Sequence, residues 1–549
     1  MSADKLLGMV RELKNLILLL GLLTILSCKL DDNSIRGSIG GNSSITPNSP
    51  AISLSASYFS AVGGTVHIIP TKLEHVTTLS INPGLPTGLT LNTQTGEILG
   101  STSGPIAKTD FTITASGPGG TSQSTFSLEI GYIFDVDTLD DTVPLANDIS
   151  LGDGQCVDGN GNCSLRAAIY EAEALSPASI VINVPPGTYN LSQTIGMVTI
   201  TNRITINGSS SASTTLDGGG AIRLFLAVIR GSLEFNHMEF KNAQSTDGAV
   251  FFQSGTSTID GRLSFIDCLF ENNRVTTSND RGGAIYFIYP GKLNVIRSRF
   301  IGNYAYGSTN MDGGAILFDG NSLYVSESYF EDNYVQDGLH GAAIANRMTT
   351  GASDFLIENS TFKNNGTPSG SAYALTLSCN STADNCIVKN STFVGSNESQ
   401  MAIYIDSSPL RLQNNTFSFY NASTILNAST NLLNNHELFG NIFENLGTGS
   451  TCSDPDSDFI SLGYNIDSKN SCNFSATGDL TNTSPLLNVS GLALNGGITP
   501  TILLQNTSPA IDAIPAEFCS NSRDQRGYDR PYNYNGLNNS CDIGAVEMQ

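Results

Sequence analysis

The stretch RGGAIYF at 281–287 returns as DGGAILF at 312–318 and, loosened, as HGAAIAN at 340–346. This repeat constrains the fold more than any other feature of the chain. Aligned phenylalanines extend it: Phe240, Phe270, Phe300, Phe330, Phe362, Phe393 and Phe417, with gaps of 30, 30, 30, 32, 31 and 24 residues. A second column follows each of the first six: Ala249-Val250, Ala284-Ile285, Ala315-Ile316, Ala343-Ile344, Ala374-Leu375 and Ala402-Ile403. A third column is Asn, three residues after Phe: Asn273, Asn303, Asn333 and Asn365. The spacing is too irregular for a coiled coil, and helix-breaking Gly is everywhere. Stacked β coils satisfy all three columns. Phe, Ile, Val and Leu fill the interior, each above its predecessor, and Asn amides stack at a turn. One unit cannot bury its apolar face alone, so the copies supply each other's core.

Composition agrees with this. The chain has 549 residues, 55 of them Gly, no Trp and only 14% charged residues, a turn-rich and β-rich profile. A solenoid core grows lengthwise, so that length does not force many separate domains. The net charge of −23 argues against nucleic acid as a partner, because phosphate contacts need a basic footprint.

Lys5, Arg11 and Lys14 precede the apolar run NLILLLGLLTILSC, which is shorter than a membrane-spanning helix. It resembles a bacterial lipoprotein signal ending in a lipobox. The resemblance implies cleavage after residue 27, acylation of Cys28 and a lipid anchor in the outer membrane. Residues 28–50, rich in Gly, Ser, Asn and Pro, read as a flexible tether. Eight of the remaining cysteines fall into sequence neighbours: Cys156 with Cys163, Cys379 with Cys386, Cys452 with Cys472, and Cys519 with Cys541. An exported chain allows these to be disulfides, and this is the simplest pairing. Cys268 is left over, and no C-x-x-C spacing suggests zinc.

Residues 51–131 alternate apolar and polar between turn signals, as sandwich strands do. Pro86, Gly88, Leu89, Leu91, Thr95, Gly96, Ile98 and Gly100 carry a pattern that resembles bacterial immunoglobulin-like domains, which implies a spacer. Within 132–190, Leu165, Ala168, Ile169 and Ala172 form one apolar helical face behind an N-cap at Ser164. Cys163, Ser164, Leu165, Arg166, Ala168 and Ile169 resemble the C-S-L-R-E-A-type module that opens many bacterial parallel β-helix proteins, with Ala167 in place of its Glu. That substitution is expected to touch surface chemistry only. The F-x-x-N and G-G-A-I pairing over 240–345 resembles the repeats of polymorphic outer-membrane proteins, which implies a surface-displayed parallel β-helix and includes adhesins. Finally, Asn495, Gly496, Gly497, Ser508–Asp512, Asp524–Gly527, Arg530, Pro531, Cys541–Ala545 and Glu547 resemble a choice-of-anchor β-helix C-terminal module. Its polar cluster is expected to form a buried knot at the last coil, with Arg526 satisfying Asp512 or Asp524.

The expected architecture is all-β: a right-handed parallel β-helix, the pectin-lyase-like solenoid, over 191–480, preceded by the Ig-like sandwich. A cap module is expected at 481–549. The same fold hosts polysaccharide lyases and glycoside hydrolases, so fold alone does not decide function. Asp247, Asp280, Asp312 and Asp337 each precede a Gly-rich turn and could form an acidic row that binds calcium, the one cofactor left open. His340 lacks the acidic signatures a polygalacturonase site needs around it. Tyr304, Tyr306 and Tyr334 read as loop anchors between coils. A binding role is expected over a catalytic one. The readings carried forward are surface adhesion to a host macromolecule or glycan, a carbohydrate-active enzyme on the same rod, and a structural envelope lipoprotein. Oligomeric state is left open.

Overall fold

The computed structural model describes residues 48–142, 151–175, 178–253, 261–276, 281–288, 290–306, 313–336, 341–346, 354–367, 372–378, 386–396, 400–407, 409–420, 422–429, 436–453, 458–532 and 540–549. Among these residues the chain is all-β, with one α-helix, Leu165–Ala174. From residue 179 it winds as a parallel β-helix whose three faces are long parallel sheets. The strands of 285–305 show the pattern of one coil: Ile285–Ile288 on one face, Gly291–Ile296 on the next, Arg299–Ile301 on the third, and a short strand Tyr304–Ala305.

The interior follows the sequence columns. Phe240, Phe270, Phe300, Phe330, Phe362, Phe393 and Phe417 stand in parallel register, and Phe443 continues the column. Successive rings stack, 4.2 Å apart at Phe270–Phe300 and 4.8 Å at Phe417–Phe443. The Ala-Ile column is also in register, with Ile285 beside Ile316 and Ile316 beside Ile344. Its first member is shifted by one: Phe251, rather than Val250, pairs with Ile285.

Each turn on either side of the Phe strand combines two residues. The first has positive φ, such as Asp267, Arg297 and Glu327 before the strand, or Asn272, Gly302 and Asp332 after it. The second is buried and polar, and its side chain bonds the neighbouring coils. After the strand, Asn273 Nδ2 donates to Asn303 Oδ1 (3.0 Å), Asn303 to Asn333 (2.9 Å) and Asn333 to Asn365 (2.8 Å). Before it runs a longer ladder. The backbone N–H of Cys268 donates to Ser298 Oγ, Ser298 to Ser328, Ser328 to Ser360, Ser360 to Ser391, and Ser391 to Asn415 Oδ1. Asn441 and Asn465 continue it to Asp479. Backbone groups at a turn cannot be satisfied by a sheet, and these side chains supply the partners. The leftover Cys268 is one rung of this ladder. It is a free, buried cysteine, and burial pushes its thiol up to about 12.

Both ends of the solenoid are closed. At the front, Ser164 Oγ caps the helix by accepting from the Ala167 N–H (3.1 Å), and Leu165, Ala168, Ile169 and Ala172 join the solenoid core. Arg166 is buried and makes a two-pronged ion pair with Asp141 at 2.7 and 2.8 Å. Ala167 is itself buried at 1% exposure, so the departure from the Glu of the module it resembles is an interior one, where no unpaired carboxylate would be tolerated. At the back, Phe474 covers Phe443 (5.8 Å), and the Cys452–Cys472 disulfide fixes it there.

The expected end of the Ig-like unit at residue 131 falls within a single strand, Gly120–Asp135. Its first part pairs with the sandwich strand Ile106–Gly117, and its last residues pair with Ser179–Val184 of the solenoid. Sandwich and solenoid therefore share one 15-stranded sheet. The polar knot expected at the last coil instead lies along the flank of earlier coils. Gln525 Nε2 donates to Thr361 Oγ1 (2.8 Å), and Thr392 Oγ1 donates to Gln525 Oε1 (2.6 Å). The segment from about 481 onward folds back over the outer side of the Phe-bearing sheet, where Ile442, Ile466, Leu504, Ile514 and Ile543 form a second apolar core.

Candidate functional site: the groove between sandwich and solenoid

Continuity of strand Gly120–Asp135 depends on Gly131. A Cβ there would stand 2.0 Å from the Ser179 carbonyl oxygen and 3.1 Å from the Phe59 ring. The absent side chain lets the first solenoid strand close against the sandwich, with Phe59 over the seam. Beside it lies a groove of about 340 Å³, lined among others by Phe59, Lys108, Glu129, Ser179, Arg203 and Glu234. Phe59 is 42% exposed. Glu129 accepts from Arg203 Nη1 at 2.8 Å and from the Ser179 hydroxyl. An exposed aromatic face next to hydroxyls and fixed charges suits a polar, ring-shaped ligand better than an apolar one. Glycoside hydrolysis needs one carboxyl to give a proton and a second to act as base or nucleophile. Both Glu129 and Glu234 line the groove, but Glu129 is already engaged by a guanidinium and a serine, so the arrangement is one of binding.

A second cavity of about 350 Å³ lies where the returning segment meets the solenoid, lined by Glu444, Leu446, Leu486, Val489, Ile502 and Gln505 among others. Burial raises the Glu444 carboxyl above its usual range, opposed by the hydrogen bond that Ser418 Oγ donates at 2.8 Å. A carboxylic acid held this way could act as a general acid. No second carboxylate is among the described residues lining this cavity.

Of the acidic row, Asp247 is half-buried, and its carbonyl oxygen accepts from Arg223 at 3.0 and 2.8 Å. Asp280, Asp312, Asp337 and His340 lie outside the described residues, as does Cys28. Among the described residues no group of three or more His, Cys, Asp or Glu is placed to hold a metal ion. Cys156–Cys163, Cys452–Cys472 and Cys519–Cys541 are disulfides. Cys386 is also disulfide-bonded, while Cys379 lies outside the described residues. Tyr304 donates to Gln336 and meets Tyr306 edge-on at 6.4 Å, which fits an anchoring role between coils. In the returning segment Arg526 pairs with Asp524 (2.8 Å) rather than Asp512, and Arg530 with Glu547 (3.5 Å).

The groove was not read from sequence, because Phe59, Glu129 and Arg203 are far apart along the chain and belong to no motif. One signal was present: TSQSTFSLEIGYIFD runs through residue 131 with no Pro or Asn and a single Gly, as one long strand can.

Comparison with known proteins agrees on the two units. Residues 228–417 match the family described as "Right handed beta helix region", and residues 38–131 match the one described as "Putative Ig domain". No curated protein matches the chain. Two solved structures, both of the catalytic domain of a GH87 alpha-1,3-glucanase in complex with nigerose, are similar at 12% identity over 68% of this chain and 75% of theirs, with TM-scores of 0.28 and 0.27. The protein thus joins an Ig-like domain to a right-handed parallel β-helix through one continuous sheet.

Proposed function

We propose that this chain is a lipid-anchored protein of a bacterial outer membrane, displayed at the cell surface, whose β-helix presents a binding face to a host macromolecule or glycan. The observation that carries the reading is the unequal treatment of the solenoid's faces. The outer side of the 15-stranded sheet, from Arg203 to Asp354, carries the exposed charges Arg203, Arg262, Lys292 and Asp354 beside Ile266, Ile296, Tyr324 and Leu356, and it leads into the junction groove. The flank bearing Thr361, Thr392 and Ile442 is covered by the chain's own returning segment. The lipobox at Cys28 supplies the anchor in this reading.

Protease shaving of intact cells, with lysed cells as control, tests it. Loss of the 240–345 segment from intact cells is the expected result. Protection in intact cells with cleavage after lysis overturns surface display and leaves an envelope lipoprotein facing inward. The carbohydrate-active reading has one observation in its favour, the buried acid Glu444 in its cavity. It predicts release of reducing ends from a polysaccharide and loss of that release in Glu444→Gln.

A further inference from the structure

The long sheet carries an unusual row on its outer face. Parallel register places Arg203, Ser232, Arg262, Lys292, Ser322 and Asp354 side by side on successive coils. Arg262 and Lys292 are direct neighbours, about 4.8 Å apart at the interstrand spacing. Both are exposed, and neither side chain makes an ion pair or hydrogen bond among the described residues. Like charges on adjacent strands repel each other, and a chain with net charge −23 has many carboxylates with which to separate or neutralise them. Elsewhere it does so: Arg297 pairs with Asp267, Lys363 with Glu331, Lys389 with Glu358, and Arg411 with Glu437. Arg230 is exposed at the turn that leads into the same sheet.

We propose that this row binds an anionic polysaccharide, a glycan bearing carboxylates or sulfates, laid across the strands from the junction groove toward Lys292. The inference rests on the binding-face reading above and names its ligand class. Charge complementarity selects an anion. The shape and flanks of the strip select a single thin chain: Glu234 stands in the adjoining column and Asp354 ends the row, so a broad, densely charged polyanion such as a nucleic acid duplex meets a carboxylate beside the row and another at its end. Two strands separate Arg203, which Glu129 holds at 2.8 Å at the groove end of the row, from the unpaired Arg262, about 10 Å, which is of the order of one disaccharide along an extended glycan. The intervening Ser232 offers a hydroxyl, and the half-buried Asn294 in the adjoining column an amide, whose Nδ2 donates to the buried Ser264 Oγ at 3.1 Å. Phe59 offers a ring face at the start of the path.

The full chain, purified in detergent, is tested against polygalacturonate and dextran sulfate, with uncharged dextran, duplex DNA and anionic phospholipid vesicles as controls. Binding to at least one polyanion that weakens as salt rises is expected. The double variant Arg262→Glu and Lys292→Glu should weaken it by roughly tenfold or more. Lys72→Glu with Arg523→Glu, which changes net charge equally at distant exposed positions, should leave it within about twofold. Arg262→Gln with Lys292→Gln should fall between, and unchanged melting of each variant excludes misfolding. The inference is overturned if no polyanion binds, if the distant variant loses as much as the row variant, or if only DNA or anionic vesicles bind. Binding of uncharged glycans alone also overturns it while leaving the binding-face reading standing.

Discussion

The outer positions of the Phe-bearing sheet divide the rod into two halves. One column reads Glu239, Leu269, Arg299 and Tyr329 in the front coils, then Thr361, Thr392, Thr416 and Ile442 in the rear. The inner column is Phe in all eight. The core is therefore the same in both halves, and only the outside differs. Front residues are charged or large and cover one another, as Arg299 does the buried Tyr329 ring at 5.9 Å. Rear residues are short and β-branched, and the returning backbone comes close enough to bond them: Thr361 Oγ1 donates to the Pro500 carbonyl (2.6 Å), and Thr416 Oγ1 accepts from the Ala545 N–H (3.0 Å). A repeat thus fixes its own interior while leaving each coil's exterior free to become a binding face or a docking site for its own chain.

Removing residues 481–549 should break the comparison most severely. It uncovers Val394, Ile442 and Ile466 as an apolar strip, and the truncated chain is expected to self-associate on size exclusion, where the full chain does not. Next, Phe300→Ala in the front and Phe417→Ala in the rear should each cost about 3–5 kcal/mol of stability in chemical denaturation, since each ring lies between two others. A cost confined to one half would contradict a common core. Gln525→Leu should cost roughly 1–3 kcal/mol by leaving the Thr392 hydroxyl without its partner and taking one of two partners from Thr361 and Thr499. Hydrogen exchange should speed up in 481–549 and stay unchanged in 240–345.

The returning segment should also respond to pH. Burial, and then the neighbouring Glu547, push Asp542 up to about 7, against an ordinary aspartate value of about 3.9. Between these values the folded segment holds a proton that the unfolded chain has released, so stability falls as pH rises through that window. Protection of 481–549 should be greater at pH 5 than at pH 8, and Asp542→Asn should flatten the difference. The smallest effect expected is that of Cys268→Ser, within about 1 kcal/mol of wild type, because the next four rungs of the same ladder are already Ser.

The repeated parts of this architecture were legible in the sequence. Phe, Ala-Ile and Asn columns recur because each coil must satisfy the same interior and the same turn, so periodicity reports them directly. The helix at 165–174 was legible because its N-cap and apolar face are local. The ladder of Ser and Asn before each Phe was overlooked: its chemistry changes from Cys268 through Ser298 to Asn415 while its role stays constant. The return of the C-terminal segment left no periodic trace, since Gln525 meets Ser360 and Thr361 across more than 160 residues of chain. The junction groove was hidden for the same reason, being assembled from Phe59, Glu129 and Arg203 by one strand that serves two units.

The covered flank is tested most directly by a thiol cross-link. Asn521 Nδ2 donates to Asn390 Oδ1 at 3.1 Å, though 131 residues separate them. Asn390→Cys with Asn521→Cys should join through a short bis-maleimide in the full chain, with the product mapped by mass spectrometry. Cys268, buried with its thiol pushed up to about 12, should not compete. A bridge between residues 390 and 521 is the predicted result. Failure of that bridge, with efficient joining of Asn521→Cys to Leu462→Cys on the last coil, would mean that the segment caps the end of the rod and that both flanks lie open.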